Sequence, residues 1–341
     1  MEIMTIGIDL AKDVFELHGV DGKGRIVLQR RLTRKRLLEC LAKLPAACLV
    51  GMEACGSAHY WAREISQLGH EVRLMSPQFT RAYVKGNKND VNDAAAICEA
   101  VSRPSMRFVP VKNQPQQDIA ALHRVRAQLI KNRTALTNQI RGLLGEYGIT
   151  VVQGIDRLRR ALPVILEDEA NGLSGMFRET LAEMAERLQW LDERCQRYER
   201  RIELVFRQDE RAKRLGQIEG VGPLIATALV AAVGNAREFK SGRELAAWLG
   251  LVPRQHSSGG RSVLLGISKR GDRYLRALII HGARAALRVA ERKRDPRSIW
   301  ISRIKLRRGP NVAAVALANK NVRVMWALLV RGDNYRTLAA A

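Results

Sequence analysis

The chain has 341 residues and a formal net charge of +24, from 58 Lys and Arg against 34 Asp and Glu. This length predicts at least two domains. The charge is concentrated in residues 207–341, which hold 27 Lys and Arg against 9 Asp and Glu. Residues 1–112 hold 17 against 12, and residues 113–206 hold 14 against 13. A basic domain of this kind predicts nucleic acid as the partner. No lipidation signal or long basic amphipathic helix supports the alternative, an anionic membrane surface.

The sequence carries no signal for export. The first residues lack a basic region followed by an apolar stretch and a small-residue cleavage site. The longest apolar run, residues 225–233, is too short to span a bilayer. The five cysteines are odd in number and irregularly spaced, which is typical of reduced, mostly buried thiols. We therefore expect a cytoplasmic protein.

Residues 1–112 alternate predicted strands and helices. The predicted strands cover residues 3–9, 14–20, 25–32, 47–53 and 71–75, and the predicted helices cover residues 34–43, 58–68 and 91–101. Asp21-Gly22-Lys23-Gly24 is predicted as the turn between the second and third strands. Three antiparallel strands followed by strands that helices separate is the order of an RNase H-like α/β fold. The sequence therefore predicts this fold class for residues 1–112.

Four carboxylates stand where an apolar segment ends or a helix begins. Asp9 ends the first predicted strand, Glu53 ends the fourth, and Asp90 and Asp93 share one face at the start of a predicted helix. Unpaired charges do not help a core, whereas hard divalent cations bind oxygen ligands of this type. The pattern predicts a metal site for phosphodiester chemistry. The alternative is that each residue is an ordinary turn or cap residue.

Residues 113–206 are predicted to be helical. Residues 116–147 form one long candidate helix, and a later segment has apolar residues at alternating steps of three and four. These residues are Leu181, Met184, Leu188, Leu191, Cys195, Tyr198, Ile202 and Val205. The spacing predicts a coiled coil, either between chains or folded back on the first helix. An ordinary amphipathic helix on a core is the alternative.

Residues 207–341 are predicted to be mostly helical and begin with a glycine-containing hairpin. Gly220 and Gly222 precede an apolar helix, a pattern similar to a helix-hairpin-helix element whose backbone N–H groups approach a phosphate. A tight turn between two packed helices explains the pattern equally well.

A serine-containing loop is the second chemical feature. Ser257 and Ser258 lie among glycines, with Arg254, His256 and Arg261 close by. A serine hydroxyl among cations is a candidate nucleophile toward phosphorus, although such a loop is more often a linker or a phosphate contact. Further predicted phosphate contacts are Lys269, Arg270, Arg273 and Arg276, and residues 284–308 form an Arg-rich segment.

Several motifs in one order resemble the DEDD-type transposases of the bacterial insertion-sequence family called "one-ten", and the last two are closest to its "eleven-eleven" subgroup. They are Gly-Ile-Asp-Leu-Ala-Lys (7–12), Met-Glu-Ala-Cys-Gly-Ser (52–57), Lys-Asn-Asp-Val-Asn-Asp-Ala (88–94), Pro-Arg-Gln-His-Ser-Ser-Gly-Gly (253–260) and Ile-Ser-Lys-Arg-Gly-Asp (267–272). The Piv-type DNA invertases are relatives of this family. The resemblance covers almost the whole chain.

The resemblance implies a RuvC-like N-terminal domain and a C-terminal transposase domain joined by a coiled coil. It implies that Asp9, Glu53, Asp90 and Asp93 bind Mg²⁺ or Mn²⁺, expected as two ions. It also implies a nucleophilic serine that forms a phosphoserine link to DNA. Ser258 is our choice because it directly precedes the first glycine, and Ser257 is the close alternative.

The implied partners are donor DNA, target DNA, a guide non-coding RNA from the element, and further copies of the chain in a dimer or tetramer. Two other functions remain open from the sequence. One is a RuvC-like structure-selective nuclease that uses water as the nucleophile. The other is a non-catalytic nucleic-acid-binding protein whose acidic residues are structural.

Overall fold

The computed structural model describes residues 2–44, 47–87 and 89–336. The chain divides into two compact units, Met1–Gln114 and Pro115–Ala341. The sequence predicted three parts, with boundaries after residues 112 and 206. The predicted helical part and the basic C-terminal part instead belong to one unit, because the last helix of the former packs directly on the first helices of the latter.

The first unit is built around a six-stranded mixed sheet. Its strands are β1 (Thr5–Leu10), β2 (Val14–Val20), β3 (Ile26–Thr33), β4 (Leu49–Glu53), β5 (Glu71–Met75) and β6 (Phe108–Val109), in the order β3-β2-β1-β4-β5-β6. Its helices are α1 (Leu37–Leu41), α2 (Ala58–Gln67), α3 (Pro77–Thr80) and α4 (Asp90–Val101). Strands β1, β4 and β5 are parallel, and β2, β3 and β6 pair antiparallel with their neighbours. The five predicted strands are confirmed to within two residues at each end.

Strand alternation gives the two faces of this sheet different roles. Ile6 and Ile8 of β1 and Phe15 of β2 are fully buried in the core that α1 and α2 cover, where Phe15 meets Trp61 edge-to-face. Gly7, between the two isoleucines, must face the opposite side, because successive strand residues point to opposite faces. The small residue on that side leaves room for a helix to approach.

Helix α4 covers this second face and lies against two glycines. A Cβ on Gly7 would lie 2.2 Å from the carbonyl oxygen of Ala94, and a Cβ on Gly51 would lie 2.7 Å from the Cβ of Val101. Gly7 and Gly51 are partners in the parallel β1–β4 register. The two glycines together form a flat surface on the sheet, and α4 packs against this surface.

The second unit is mostly helical. Its helices are α5 (Gln114–Glu146), α6 (Ile155–Glu167), α7 (Gly175–Gln208), α8 (Glu210–Gly216), α9 (Pro223–Val233), α10 (Gly242–Trp248), α11 (Arg273–Ala290), α12 (Pro296–Arg308) and α13 (Pro310–Arg331). A two-stranded antiparallel sheet, β7 (Pro253–Ser258) and β8 (Arg261–Ile267), follows α10. Helices α8 to α13 share one buried core, and α5 to α7 share another.

Two long helices of this unit, α5 and α7, run antiparallel and contact each other through ion pairs. Arg126 of α5 pairs with Glu199 of α7, and Arg133 pairs with Asp192 at 3.1 Å. The N-terminal part of the predicted apolar seam, including Leu181, packs with α5 and α6 in one core. Within one chain the seam residues of α7 therefore have partners, as expected for a helix folded back on the first one.

Helix α13 is long and apolar enough to cross a membrane by length and composition, although the sequence drew attention only to the shorter run at 225–233. It lies against α10, α11 and α12, and eight of its residues are buried, seven of them in the unit's apolar core, among them Leu317, Val322 and Met325. Its apolar character is explained by these contacts.

A buried histidine joins three helices of the second unit. Nδ1 of His123 on α5 lies 3.0 Å from the hydroxyl of Tyr274 on α11, and Nε2 lies 2.9 Å from the hydroxyl of Thr227 on α9. Burial, with a smaller contribution from the positive charge of Arg126, lowers the pKa of His123 to about 4. The ring is therefore neutral over most of the physiological range.

This histidine predicts a pH-dependent stability. An unfolded chain takes up the proton near pH 6.5 and the folded chain only near pH 4, so the free energy of unfolding should decrease as pH falls through this window. The expected loss is about 3 kcal/mol. The free energy of unfolding is measured by tryptophan fluorescence during urea unfolding at several pH values. A Trp61→Phe background is used, so that the fluorescence comes from the tryptophans of the second unit. His123→Gln should flatten the slope, and the exposed His281→Asn should retain it.

Candidate active site

Asp9 and Glu53 lie on the same face and at the same edge of the first unit's sheet. Asp9 is two residues beyond Gly7 and Glu53 two beyond Gly51, so both side chains share the face that α4 covers. The parallel register places them on neighbouring strands at the carboxyl edge. Burial, followed by the negative charges of Glu53 and Asp9, raises the pKa of the exposed Cys55 thiol.

Helix α4 brings Asp90 and Asp93 to the same edge. A Cβ on Gly7 would meet Ala94 and Cys98, and the thiol of Cys98 reaches the carbonyl oxygen of Thr5 at 3.6 Å. Residues later in α4 thus lie beside residues earlier in β1. Helix α4 therefore runs antiparallel to β1, and its first turn lies toward the carboxyl edge of the sheet. The sequence prediction that the four acids meet at one end of one sheet agrees with this arrangement of the elements.

The start of α4 is fixed by a cap that the sequence analysis overlooked. The side chain of Asn89 accepts a hydrogen bond of 2.7 Å from the backbone N–H of Asn92, and the Asn92 amide donates to the Asn87 carbonyl at 2.7 Å. Carboxylates in a first helical turn also interact favourably with the helix dipole. The cap holds the turn from which Asp90 and Asp93 project.

The four side chains are not gathered around one point as they stand. Asp9, Glu53 and Asp93 are half-buried and Asp90 is exposed. In the part of the chain that the structure describes, no three Asp, Glu, His or Cys side chains are placed to hold one metal ion. The donor set itself, four carboxylates at one edge, fits a hard divalent cation such as Mg²⁺ or Mn²⁺.

Thr80 is a site residue that the sequence analysis missed. Its hydroxyl donates to the Glu53 carboxylate and also lies 3.1 Å from the carbonyl oxygen of Pro77. Thr80 is 1% exposed, at the end of α3. A buried hydroxyl in this position holds the Glu53 carboxylate in one orientation, and a threonine after a short helix carries no sequence signal for that role.

Removal of this hydroxyl is predicted to weaken the site without unfolding the unit. Thr80→Val keeps the shape of the side chain but leaves the Glu53 carboxylate without its hydrogen-bond donor. We therefore expect a loss of DNA strand joining of roughly ten- to hundredfold, which is typical when a group that hydrogen-bonds to a metal ligand is removed. Thr80→Ser, which keeps the hydroxyl, is the matched control. Equal loss in both variants would show that the methyl group, and not the hydrogen bond, matters.

The segment around Ser257 and Ser258 is a β-hairpin, whereas the sequence analysis predicted a loop. Strand β7 ends at Ser258 and β8 begins at Arg261, with Gly259 and Gly260 between them at φ values of 55° and 78°. Positive φ at both central residues of a two-residue turn is the geometry that suits hairpins and favours glycine. The prediction of a loop was wrong because both faces of the hairpin are exposed, so no apolar alternation marks its strands.

The two serines have different surroundings. The Ser257 hydroxyl accepts a 2.8 Å hydrogen bond from the Gln255 amide and lies 3.4 Å from the Ser262 hydroxyl. Ser258 is exposed at the tip, with Arg261 as its register partner, and within the described residues its hydroxyl has no hydrogen-bond partner. His256 shares its face of the hairpin. Ser258 is thus the more accessible hydroxyl, beside a cation.

The predicted phosphate contacts separate into surface and interior residues. Arg254, Arg261, Lys269, Arg270 and Arg273 are exposed. Arg276 is 8% exposed, and its guanidinium donates to the carbonyl oxygens of Leu249 at 3.1 Å and of Arg270 at 2.6 Å. In this fold Arg276 fastens the turn before α11, so we do not retain it among the proposed nucleic-acid contacts.

The two glycines of the predicted hairpin also differ. Gly220 has φ of 82°, and a Cβ there would lie 2.5 Å from the Gly282 carbonyl oxygen of α11. This close contact between the turn and α11 agrees with the alternative interpretation of the glycines, a tight turn between two packed helices. Gly222, which precedes α9, has open space around a built Cβ, so its backbone remains accessible to a ligand.

The chain is similar to known transposases over almost its whole length. Residues 6–149 match the DEDD transposase domain of IS110-type elements, and residues 212–297 match the transposase IS116/IS110/IS902 family. The chain is 52% identical over 337 residues to a "Probable family 20 transposase" of Pseudomonas aeruginosa, covering 98% of this chain and 99% of the relative. It is 48% identical over 335 residues to the transposase for insertion sequence element IS1111A of Coxiella burnetii, covering 98% and 92%. A "Pilin gene-inverting protein" of Moraxella bovis is 23% identical over 198 residues, covering 56% and 51%.

An acid-bearing sheet edge and a basic helical unit with these relatives define an enzyme that cuts and rejoins DNA, a transposase. The chain belongs to the IS116/IS110/IS902 family of transposases and carries the DEDD domain of that family. Domains of this type use divalent metal ions. The membership predicted from the motifs is confirmed, and the alternative of a non-catalytic binding protein is set aside.

Proposed function

We propose that this transposase cuts and rejoins DNA strands through a covalent phosphoserine intermediate at Ser258. The proposal assigns Asp9, Glu53, Asp90 and Asp93 as the ligands of divalent metal, most simply two Mg²⁺ or Mn²⁺ ions. The observation that carries it is the shared edge: Asp9 and Glu53 on one face of neighbouring strands, under the first turn of the helix that bears the other two acids.

The serine chemistry balances without an external energy source. The Ser258 oxygen attacks a DNA phosphorus, an Oγ–P bond forms, the P–O3′ bond breaks, and the serine proton ends on the departing 3′-oxygen. A 3′-hydroxyl from a second strand then attacks the same phosphorus, reforms a phosphodiester and returns the proton to serine. Two easier displacements replace one difficult exchange, which is the general benefit of nucleophilic catalysis.

The other residues bind, orient and stabilise charge. Bound divalent ions supply charge stabilisation at the reacting phosphate. Thr80 orients the Glu53 carboxylate, and the exposed Arg261 beside Ser258 offers a cation to phosphate oxygens. The accessible Ser258 hydroxyl needs no rearrangement of the hairpin to meet a phosphodiester, which supports its choice over Ser257.

The partners of the reaction follow from the charge of the second unit and from the family. Three exposed cations at the start of α11 and just before it are proposed to contact donor and target DNA or a guide RNA, namely Lys269, Arg270 and Arg273. Arg254 and the backbone of Gly222 are proposed to contribute to the same surface. Sequence choice by a non-coding RNA of the element is proposed because pairing can read sequence while protein reads backbone. We also propose a homodimer or homotetramer in which the acids of one chain act with the serine of another, at work on the nucleoid in the cytoplasm.

A strand-joining assay tests this function. Purified protein, Mg²⁺ and candidate element RNA are incubated with differently labelled donor and target duplexes, and products are separated on a denaturing gel. Joined strands that carry both labels are expected. Cut ends without joined products, at repeated turnover, would support the second candidate, a RuvC-like nuclease in which water attacks and the serine hairpin binds phosphate.

A further inference from the structure

A cleft of about 1470 Å³ lies in the second unit between the hairpin β7–β8 and helices α10, α12 and α13. Leu264 and Leu265 of the hairpin and Val312 of α13 line it, and they are 67%, 47% and 45% exposed. Exposed apolar side chains that share one concave surface mark a place where a ligand or a partner binds. Sites for small ligands usually measure about 300–1,000 Å³, so a group of the size of a nucleotide fits inside.

The side chains that line this cleft make it positively charged. Four of them are cations and, among the described residues, none is an Asp or Glu; the cations are Arg243, Arg308, Lys320 and Arg323. In the part of the chain that the structure describes, none of the four pairs with an acidic side chain. Unpaired cations around an apolar surface fit an anion that also carries an apolar part.

Lys320 is half-buried in the cleft, whereas the other three cations are exposed. Its Nζ lies 4.3 Å from the centre of the Trp300 ring of α12, which is a favourable cation–π contact. Burial, followed by the positive charges of Arg297 and Arg323, lowers the pKa of Lys320. A phosphate oxygen beside the ammonium would offset both effects, because it supplies a hydrogen-bond acceptor and opposes the neighbouring positive charges.

Trp300 stands between two basic clefts. It lines the first cleft and also a second one of about 650 Å³ along α12, which holds Arg294, Arg303 and Arg307. Aromatic rings between cations are the arrangement by which proteins bind unpaired nucleic acid, because bases stack on the rings and phosphates meet the cations. In a duplex the bases are stacked inside, so a base reaches such a cleft only after it leaves its pair.

The hairpin connects the first cleft to the proposed nucleophile. Ser258 pairs with Arg261 at the tip, and Leu264 lies three residues further along β8, which is about 10 Å at a strand rise of about 3.4 Å per residue. A DNA strand whose phosphate meets Ser258 therefore reaches the cleft within a few nucleotides.

We propose that the first cleft binds an unpaired nucleotide of the DNA strand that is cut, with the base against Trp300 and the exposed leucines and the phosphate at Lys320. The identity of this strand rests on the proposed function, because it depends on attack by Ser258. A nucleotide held in this way keeps the strand beside the cut out of its duplex until it is joined.

Binding of labelled oligonucleotides to the full chain tests the cleft without strand joining. Fluorescence anisotropy gives the affinity for single-stranded DNA, single-stranded RNA and duplex DNA of one sequence. A Ser258→Ala background is used, so that no covalent bond forms. The variants are Trp300→Leu and Lys320→Gln, with Trp190→Leu and Lys131→Gln as controls. Trp190 and Lys131 are exposed on α7 and α5 and line neither cleft.

The two variants should weaken the binding of single-stranded DNA in different ways. We expect Trp300→Leu to lower the affinity at least about fivefold, because a stacking surface is lost. Lys320→Gln should lower the slope of log affinity against log salt by about 0.7, because one phosphate contact is lost. The controls should leave affinity and slope unchanged, and both variants should bind duplex DNA as the parent protein does. If Trp300→Leu fails to fold, Lys320→Gln carries the test.

A DNA strand of the same length whose sugars carry no bases separates stacking from folding. The loss of affinity in Trp300→Leu should be absent on this strand, since it has phosphates but nothing to stack on the ring. An equal loss on strands with and without bases would show that the variant acts through the structure of the protein, and this result would overturn the proposal.

The remaining outcomes separate this inference from the serine mechanism. Unchanged affinity for single-stranded DNA in Trp300→Leu and Lys320→Gln, or no binding of single-stranded DNA by the parent protein, would overturn the cleft as a nucleotide site. A larger loss with RNA than with DNA would assign the cleft to RNA and overturn its assignment to the cut strand. The role of Ser258 is decided separately, by a covalent DNA adduct in the protein that retains this serine.

Discussion

Replacing Asp9 with asparagine is expected to reduce DNA strand joining by on the order of a thousandfold. The amide has the shape of the carboxylate but lacks its charge, so it no longer draws a divalent cation to the scissile phosphate. Asp9 is central because β1 lies between β2 and β4 in the sheet, and Glu53 stands on the neighbouring strand β4. Initial rates of appearance of the doubly labelled joined strand, at saturating Mg²⁺, measure the effect.

The matched control is Asp13→Asn, four residues further along the same segment. Asp13 is exposed in the turn between β1 and β2 and lies outside the strands that form the site. This variant should join strands at the wild-type rate. Comparable losses in both variants, or full activity of Asp9→Asn, would contradict the assignment of Asp9 as a metal ligand.

Replacing Gly7 with alanine is expected to destabilise the first unit by about 3 kcal/mol. The added Cβ would lie 2.2 Å from the carbonyl oxygen of Ala94 and 2.4 Å from the backbone nitrogen of Cys98. Both atoms belong to the backbone of α4, so rotation of a side chain cannot relieve the contact, and the helix must move. Because α4 carries Asp90 and Asp93, the variant should also lose strand joining at temperatures where it remains folded.

Two other glycines serve as references for this prediction. Gly51→Ala meets the side chain of Val101 at 2.7 Å, where repacking is easier, and should cost less. Gly22→Ala has only the Met4 side chain near its Cβ, at 3.9 Å, and should be nearly neutral. Urea unfolding curves of the three variants give the order, and a Gly7→Ala protein as stable as Gly22→Ala would show that α4 does not rest on β1 as described.

The sheet of the first unit was predictable because its strands alternate. In β1, Ile6 and Ile8 face the core under α2, and Gly7 and Asp9 face the other way. That pattern fixes the side on which Asp9 must lie before any coordinates are known. The two-residue strand Phe108–Val109 was not predicted, since two residues are too few to show a period.

The contribution of Thr80 depended on a contact between distant segments. Thr80 reaches Glu53 across 27 residues. It stands neither at the end of an apolar run nor at the start of a helix, which were the signals that identified the four acids. Tertiary packing, and not local pattern, places it at the site.

The second unit shows where sequence patterns are ambiguous. Arg276 was grouped with surface cations because it recurs at helical spacing with Arg273, yet the helix turns it inward toward the Leu249 carbonyl. The seam of α7 was equally compatible with a partner chain and with α5. Its ion pairs with Arg126 and Arg133 are with α5 of the same chain.

Trapping of a covalent protein–DNA adduct tests the proposed phosphoserine mechanism most directly. The protein, Mg²⁺ and candidate RNA are mixed with labelled donor DNA, quenched in denaturant and resolved on a denaturing gel, for wild type, Ser258→Ala, Ser257→Ala and Ser262→Ala. The account predicts a labelled adduct with wild type, Ser257→Ala and Ser262→Ala, which is absent with Ser258→Ala. An adduct that persists in Ser258→Ala, or DNA cutting by wild type without any adduct, would contradict it.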